Sequence, residues 1–313
     1  MTNLTGRILK DRYQVIESIG RGGMAEVFKV WDNQRAVHLA MKVLRQDIAQ
    51  DPIFLRRFQR EAKALSSLQH PNIVRFFGLD REDLISFLLM EYVEGVSLQS
   101  EILRNNGAPL KNNRVLEILQ PICSALHYAH QQGITHCDLK PGNILIDHNG
   151  RVLLTDFGIA RTLDAATATM AGIGTPAYMA PELVRGEDPT PQTDVYALGV
   201  VLYEMLTGGE RPFTGEGASI TGTTAEKVRW EQVKAAPTSP SRYNPQILPD
   251  WERVVLRCLE KDKRQRFAGP MDVFKTIHPG GNHPIHNSSE VQNGSGFFED
   301  GIYHEPASLP PAP

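Results

Sequence analysis

The sequence predicts an α+β protein in two lobes, a small antiparallel sheet with one helix followed by a mostly helical region. Three observations carry this. Apolar residues alternate with a period of two in YQVIESIG, EVFKVWD and VHLAMKVL near the start of the chain, the pattern of half-buried strands. After FLLMEYVEG (87–95) the period becomes helical, in RVLEILQPICSALHYAHQQG, DVYALGVVLYEMLTGG, TAEKVRWEQVKAA, PDWERVVLRCLEKD and GPMDVFKTI. A length of 313 residues, 41% hydrophobic and 22% charged, is enough to bury a large core and to divide into two lobes.

In the first lobe, a turn falls around Asp32 and Asn33 between two of the strands. Asp51-Pro52 then has the form of a helix start, an N-cap aspartate with proline at the first helical position. The stretch FLRRFQREAKALSSL behind it puts Phe54, Phe58 and Leu65 on one face, and Glu61 falls on that same face. A carboxylate aimed at a core requires a cation. Lys42 is the candidate, because alternation in VHLAMKVL sets His38, Ala40 and Lys42 opposite Val37, Leu39, Met41 and Val43. Taken singly, each of the two charges also reads as a solvated surface residue. In the second lobe, Pro121 is expected to kink the first helix.

Composition narrows the class. No apolar run approaches the ~18 residues that span a bilayer. MTNLTGRILKDRYQV lacks the apolar core of a signal peptide, so the expected address is cytoplasmic, with no membrane segment in this chain. Cys123, Cys137 and Cys258 are widely separated, form no C-x-x-C and suit a reducing compartment; neither disulfides nor structural zinc is expected. A formal charge of -3 and the absence of a basic stripe with interleaved aromatics argue against nucleic acid as a partner. The segment 279–313 carries Glu290, Glu299, Asp300 and Glu305 but no lysine or arginine, and its composition predicts a disordered tail after a nearly neutral folded region, 1–278. There is no internal repeat.

Two stretches hold candidate chemistry. ITHCDLKPGNIL (134–145) sets Asp138, Lys140 and Asn143 beside Pro141 and Gly142. Downstream, Asn149-Gly150 between ILI and RVLL signals a hairpin; with those two residues as the loop, His148 faces Arg151 and Asn143 stands opposite Asp156. A carboxylate and an amide oxygen side by side, with Asp138 just upstream, make a hard-oxygen site suited to Mg²⁺, although the pair alone also reads as polar residues at hairpin ends. The second stretch is IGRGGMAEV, from Ile19 through Gly20, Gly22 and Gly23 to Val27. Glycines between two strands let backbone amides approach phosphates, and a merely flexible hairpin accounts for them equally well.

Together these features resemble the eukaryotic-like serine/threonine protein kinases, especially those of bacteria, over roughly residues 11–278. The motifs appear in order: G-R-G-G-M-A-E-V (20–27), A-M-K (40–42), Glu61 in a helix, H-P-N-I-V (70–74), M-E-Y-V (90–93), H-C-D-L-K-P-G-N (136–143), D-F-G (156–158), A-P-E (180–182) and Asp194 opening a helix. The resemblance implies a bilobal protein kinase-like fold, with an N-lobe of about 11–92 and a C-lobe of about 93–278. It implies ATP and Mg²⁺ as cofactors and protein substrates with serine or threonine acceptors, with autophosphorylation. It assigns the phosphates to Lys42 paired with Glu61, the metal to Asn143 and Asp156, the substrate hydroxyl to Asp138, and the transferring phosphoryl to Lys140.

By the same resemblance Met90 would stand at the back of an adenine pocket, the backbone of Glu91 to Val93 would hydrogen-bond the base, and Val27, Ala40 and Leu145 would sandwich it. Leu65, His136 and Phe157 would form the packed column aligning the lobes. Glu182 would pair with Arg266 to brace the substrate platform. Lys140 and Thr175 match the serine/threonine rather than the tyrosine pattern.

The sequence departs from that pattern twice. Ala25 replaces the third glycine of the phosphate loop, a small change expected to spare ATP binding. Cys137 replaces the arginine that holds a phosphorylated activation segment, and so marks a difference in regulation. Its acidic neighbours Asp138 and Asp156 are expected to keep the thiol unreactive, as packing. Two other functions fit the fold: a nucleotide-binding pseudokinase scaffold, and a small-molecule kinase. Retention of Lys42, Glu61, Asp138, Asn143 and Asp156 speaks against the first, and the Thr175 to Glu182 platform with Arg266 against the second. The oligomeric state is not read from the sequence.

Overall fold

The computed structural model describes residues 4–23, 25–45, 62, 65–157 and 176–279, all within one compact unit spanning Met1–Gly281. Glu61 with most of its helix, residues 158–175 including Thr175, and the tail from 280 lie outside the described residues.

The first lobe is a six-stranded antiparallel sheet: β1 (Ile8–Leu9), β2 (Tyr13–Arg21), β3 (Ala25–Asp32), β4 (Val37–Leu44), β5 (Phe76–Glu82) and β6 (Ile85–Glu91), in the order β1-β2-β3-β4-β6-β5. Alternation works as expected on β4. Leu39, Met41 and Val43 pack with Phe28, Val30, Phe87 and Leu89 in one core, each such side chain contributing about 1.5–3 kcal/mol through burial. The pleat therefore turns Ala40 and Lys42 to the opposite face. A smaller cluster of Ala25, Leu44, Ala62 and Leu88 lies apart from that core. The β3–β4 turn is closed by Asp32, fully buried, which accepts two 2.7 Å bonds from the Arg12 guanidinium and one from the Gln34 amide. The two-residue β1 is too short for an alternation to show in sequence.

The hairpin of the second lobe differs from the sequence expectation by one residue. β8 (Ile144–Asp147) and β9 (Val152–Leu154) pair with Ile144 opposite Leu154 and Ile146 opposite Val152, so Asn143 lies against Thr155, whose amide donates to the Asn143 carbonyl at 3.0 Å. The loop has three residues, 148–150, rather than two. Asp147 Oδ1 accepts from the amides of Asn149 and Arg151, both at 2.9 Å, and Gly150 takes a left-handed φ of 81°. That side-chain cap favours the longer turn over the two-residue loop that Asn-Gly alone suggests. A short strand β7 (Gly95–Ser97) pairs with β8 on its other edge.

Seven helices follow among the described residues: α1 (Leu98–Arg104), α2 (Asn112–Gln131), α3 (Pro181–Val184), α4 (Pro191–Thr207), α5 (Thr224–Lys234), α6 (Pro249–Cys258) and α7 (Pro270–Ile277). α2 runs through Pro121 as one element. α4 is buried from Thr193 to Thr207 and forms the lobe's axis, with α2, α6 and α7 packed about it, as expected of a helix apolar all round. A capping box of Thr190 and Thr193 starts it. Gly208 stops it at φ 77°, where a Cβ would meet the Gly107 carbonyl at 2.0 Å.

Candidate active site

The site is anchored from below by α4. Asp194, in its first turn and fully buried, accepts from the His136 amide at 2.8 Å and the Cys137 amide at 2.9 Å, while His130 Nε2 of α2 lies 2.7 Å from the same carboxylate. Cys137 sits at φ 63°, a left-handed conformation that costs a residue with a Cβ about 1–2 kcal/mol. Two adjacent amides fixed on one carboxylate offset that cost and set the direction of the next residue.

That residue is Asp138. Its Oδ2 accepts from Lys140 Nζ at 2.7 Å and from Asn143 Nδ2 at 3.0 Å, and Asn143 Nδ2 also donates to the Asp138 carbonyl at 2.8 Å. Because the Asn143 amide nitrogen is spent on Asp138, its oxygen is turned away and is left to accept or to ligate. His136 closes the loop from behind. Burial lowers its pKa, so the ring is neutral at pH 7; Nε2–H donates to the Thr155 carbonyl at 3.1 Å, and Nδ1 accepts from the Asp138 amide at 3.3 Å.

Asp156 leaves β9 in a left-handed conformation, φ 59°. In a continued strand the observed register would point it away from Asn143, since a one-residue slip reverses the face of every side chain. The left-handed residue breaks the alternation and re-aims the carboxylate, and Oδ1 accepts from Lys42 Nζ at 2.7 Å. Burial pushes the Asp156 pKa up. Lys42, by charge and hydrogen bond, with Lys140 and His136 behind it, outweighs burial and holds the group below the usual carboxylate range. Among the described residues Lys42 therefore meets Asp156; the expected Glu61 partner lies outside them.

The glycine stretch lines the other wall. Gly20 pairs with Val27, and the Gly22 amide donates to the Ala25 carbonyl at 2.9 Å. A Cβ at Gly23 would meet nothing within 4 Å, so the bend leaves room for a ligand to approach the backbone. Ile19 is 44% exposed at the start of this stretch, whereas the Ala25 methyl is buried with Leu44, Ala62 and Leu88, so this departure from glycine serves packing. Ala40 pairs with Met90 across β4 and β6, and Thr155 Oγ1 lies 3.9 Å from the Met90 sulfur. Leu65, Met90, Thr155 and Phe157 line a cavity of about 30 Å³ behind them. The His136 and Phe157 rings are in contact, their centroids 4.5 Å apart and their planes tilted by 36°. The Glu91 amide is taken by the Arg75 carbonyl at 2.8 Å, Val93 follows in the half-buried connection between the lobes, and Leu145 stands on β8 between Ser97 and Leu153.

Glu182 and Arg266 form the brace expected of them. Both are buried, and two guanidinium nitrogens each reach one carboxylate oxygen at 2.8 Å. A second cluster, with Tyr178 and Glu204 buried and Arg211 partly exposed, escaped the sequence reading. Tyr178 OH donates to Glu204 Oε1 at 2.8 Å, and Arg211 Nε donates to the same oxygen at 2.6 Å. His130 escaped it as well, since nothing about a histidine near the end of an amphipathic helix indicates that it reaches an aspartate 64 residues away.

The family model for the protein kinase domain matches residues 13–276. This chain belongs to the protein kinase family. The kinase domain is 42% identical to the serine/threonine-protein kinase PrkC of Bacillus subtilis over 276 residues, covering 88% of this chain and 41% of PrkC. It is 39% identical to the serine/threonine-protein kinase PknB of Mycobacterium tuberculosis over 267 residues, 83% of this chain and 41% of PknB. The chain thus spans about two fifths of the length of these relatives. Among solved structures, the PknI kinase domain of Mycobacterium tuberculosis matches with a TM-score of 0.70 and 28% identity, covering 87% of this chain and 97% of that one.

Membership in the family implies the use of ATP and a divalent cation, and the kinase site fits both. The second Asp156 oxygen and the Asn143 amide oxygen are hard donors. Among the described residues no group of three or more acidic, histidine or cysteine side chains forms a self-sufficient metal site. No helix among the described residues is long and apolar enough to cross a membrane.

Proposed function

We propose that this kinase domain transfers the γ-phosphoryl group of ATP, bound with Mg²⁺, to serine or threonine hydroxyls of protein substrates, its own activation segment among them. The observation that carries this is the Asp138–Lys140–Asn143 cluster. Oδ2 of Asp138 is saturated by Lys140 and Asn143, which leaves Oδ1 to orient a substrate hydroxyl and take its proton. Lys140, 2.7 Å from the proton acceptor, is placed to neutralise charge on the group in transit, and its presence supports a serine/threonine acceptor. Asn143 and Asp156 would hold the metal, and Lys42 the α and β phosphates once released from Asp156. Gly20, Gly22 and Gly23 would cover the phosphates, with Ile19, Val27, Ala40, Met90 and Leu145 around the adenine and the backbone of Glu91 and Val93 at its edge. When bound, the nucleotide and metal supply the phosphoryl group and the charge that stabilises its transfer.

The names of the curated relatives support the same activity for a protein substrate. Residues 1–278 constitute the catalytic unit in this reading, in the cytoplasm, and 279–313 are dispensable to it. The buried Glu182–Arg266 brace favours a protein over a small-molecule acceptor.

One assay tests the proposal. Purified protein is incubated with labelled ATP, Mg²⁺, a generic basic protein and a panel of metabolites. Label on serine or threonine of the protein, lost in Asp138→Asn, is the expected result. Label on a metabolite, or nucleotide binding with no transfer, would replace it with the small-molecule kinase or the pseudokinase scaffold.

A further inference from the structure

The connection between the lobes carries a charged bridge that the phosphoryl-transfer chemistry does not use. Alternation along β6 turns Met90 toward the cleft and the Glu91 side chain to the other face, beside the core that holds Leu89. There Glu91 Oε2 accepts from the Arg75 amide at 3.2 Å, and Glu91 Oε1 accepts from Arg151 Nη2. Arg151 comes from the second lobe, at the loop of the β8–β9 hairpin, where its Nε also meets Asp147 Oδ2 at 3.2 Å. Asp147 itself is pinned by two backbone amides.

The same loop is tied to the connection by backbone. The His148 amide donates to the Glu94 carbonyl at 3.2 Å, and Gly95 pairs with Asp147 so closely that a Cβ on Gly95 would lie 2.0 Å from the Ile146 carbonyl oxygen. The backbone contacts therefore fix the hairpin to residues 94–97, on its own side of the connection. Only the Glu91–Arg151 bridge, among these, reaches past residues 92 and 93 to the last residue of the first-lobe sheet.

Position gives the bridge its consequence. The hairpin carries Leu145 on one strand and runs into Asp156 from the other, and β6 carries Met90 and Glu91. In this structure Lys42 and Asp156 touch across the cleft. Opening or closing that cleft turns the lobes about residues 92–94, and a bridge on the far side of that pivot resists the turn in either direction.

We propose that Arg151 and Glu91 form a latch behind the connection that sets the angle between the lobes and slows nucleotide exchange, making Arg151 a positioning residue for nucleotide binding. The proposal rests on the nucleotide site described above. Arg151 is 44% exposed and Glu91 26%, so the latch is screened by salt and its effect is a few-fold.

The test is a double-mutant cycle in the full chain, Arg151→Gln, Glu91→Gln and both, read by the Kd and release rate of a fluorescent ADP analogue with Mg²⁺. The expected result is a three- to fivefold rise in both the association and the release rate for Arg151→Gln with Kd changed by less than twofold, no further change when Glu91→Gln is added, and partial recovery in Arg151→Lys. The difference from wild type should shrink between 50 and 500 mM NaCl, and turnover of Arg151→Gln at saturating ATP should stay within twofold. Multiplicative effects of the two changes would overturn the latch, since Arg151 would then act only through Asp147. Hydrogen exchange of the amides in 92–97, without nucleotide, is the second measurement and should quicken in Arg151→Gln. Exchange equal to wild type overturns the latch whether or not the chain binds nucleotide, whereas failure of wild type to bind the analogue overturns the nucleotide site instead.

Discussion

Lys42 Nζ lies 2.7 Å from Asp156 Oδ1, joining the sheet of the first lobe to the segment that leaves β9 in the second. The lysine is what keeps a carboxyl disfavoured by burial below its ordinary pKa. A carboxyl whose folded pKa is lowered contributes stability above its unfolded pKa, about 3.9, and loses that contribution as pH falls through the folded value. In Lys42→Met the burial cost is left uncompensated and the Asp156 pKa rises. Affinity for Mg²⁺–ATP should then weaken more steeply as pH falls from 7 to 5 in the variant than in wild type, beyond the uniform loss of a phosphate contact and the titration of ATP itself that both share. Parallel titration curves would show that Lys42 does not set the charge of Asp156.

Asp138→Asn should lower transfer by orders of magnitude with little change in nucleotide affinity. The amide cannot take the substrate proton, yet it keeps an oxygen for Lys140 and Asn143. Single-turnover transfer and nucleotide Kd, measured on the same preparation, check the two halves separately.

Asp156→Asn removes a full ligand charge while retaining an oxygen. Nucleotide binding should lose most of its Mg²⁺ enhancement and transfer should fall with it. Isothermal titration with and without Mg²⁺ reads this directly.

Glu182→Gln should destabilise the domain by about 3–5 kcal/mol, because it leaves the buried Arg266 without its counter-charge. Burial raises the Glu182 pKa, but the Arg266 bond and charge outweigh it and hold the carboxyl below its usual value. The stabilisation is therefore present above about pH 4.3 and disappears as pH falls through the lower folded pKa. Denaturant unfolding at pH 7 and at pH 3.5 should show the difference between wild type and Glu182→Gln shrinking in acid.

Cys137 stands where, by the resemblance to the kinase motif, an arginine that holds phosphate would be expected. Thr167 and Thr169 lie between D-F-G and A-P-E with the spacing of paired autophosphorylation threonines, and changing both to alanine should lower turnover on an exogenous peptide by less than about tenfold, or about 1.4 kcal/mol of barrier. Adding Cys137→Arg should enlarge that dependence. Cys137 already sits in a left-handed conformation held by Asp194, so the arginine inherits the backbone and changes only the side chain. Turnover of wild type, the alanine pair, Cys137→Arg and their combination, with phosphorylation checked by mass spectrometry, decides it.

Local patterns in the sequence were sufficient for the strands β2, β3 and β4 and for every long helix from α2 to α7, because periodicity and turn chemistry act over a few residues and need no partner. Asp138, Lys140, Asn143 and Asp156 were singled out by the motifs that resemble the kinase family, and the face on which Lys42 stands by alternation along β4. What the chain could not state locally is which distant group answers which. The hairpin register moved by one residue because the Asp147 side chain caps the loop, and the site survived that slip only because Asp156 turns left-handed and re-aims its carboxylate. The Asp194 carboxylate under the 136–143 loop, the His130 ring beside it and the Arg151–Glu91 bridge behind the connection join residues 57 to 64 positions apart. Such pairings follow from how helices and strands pack, since burying a carboxylate obliges the fold to bring donors to it from wherever the packing places them.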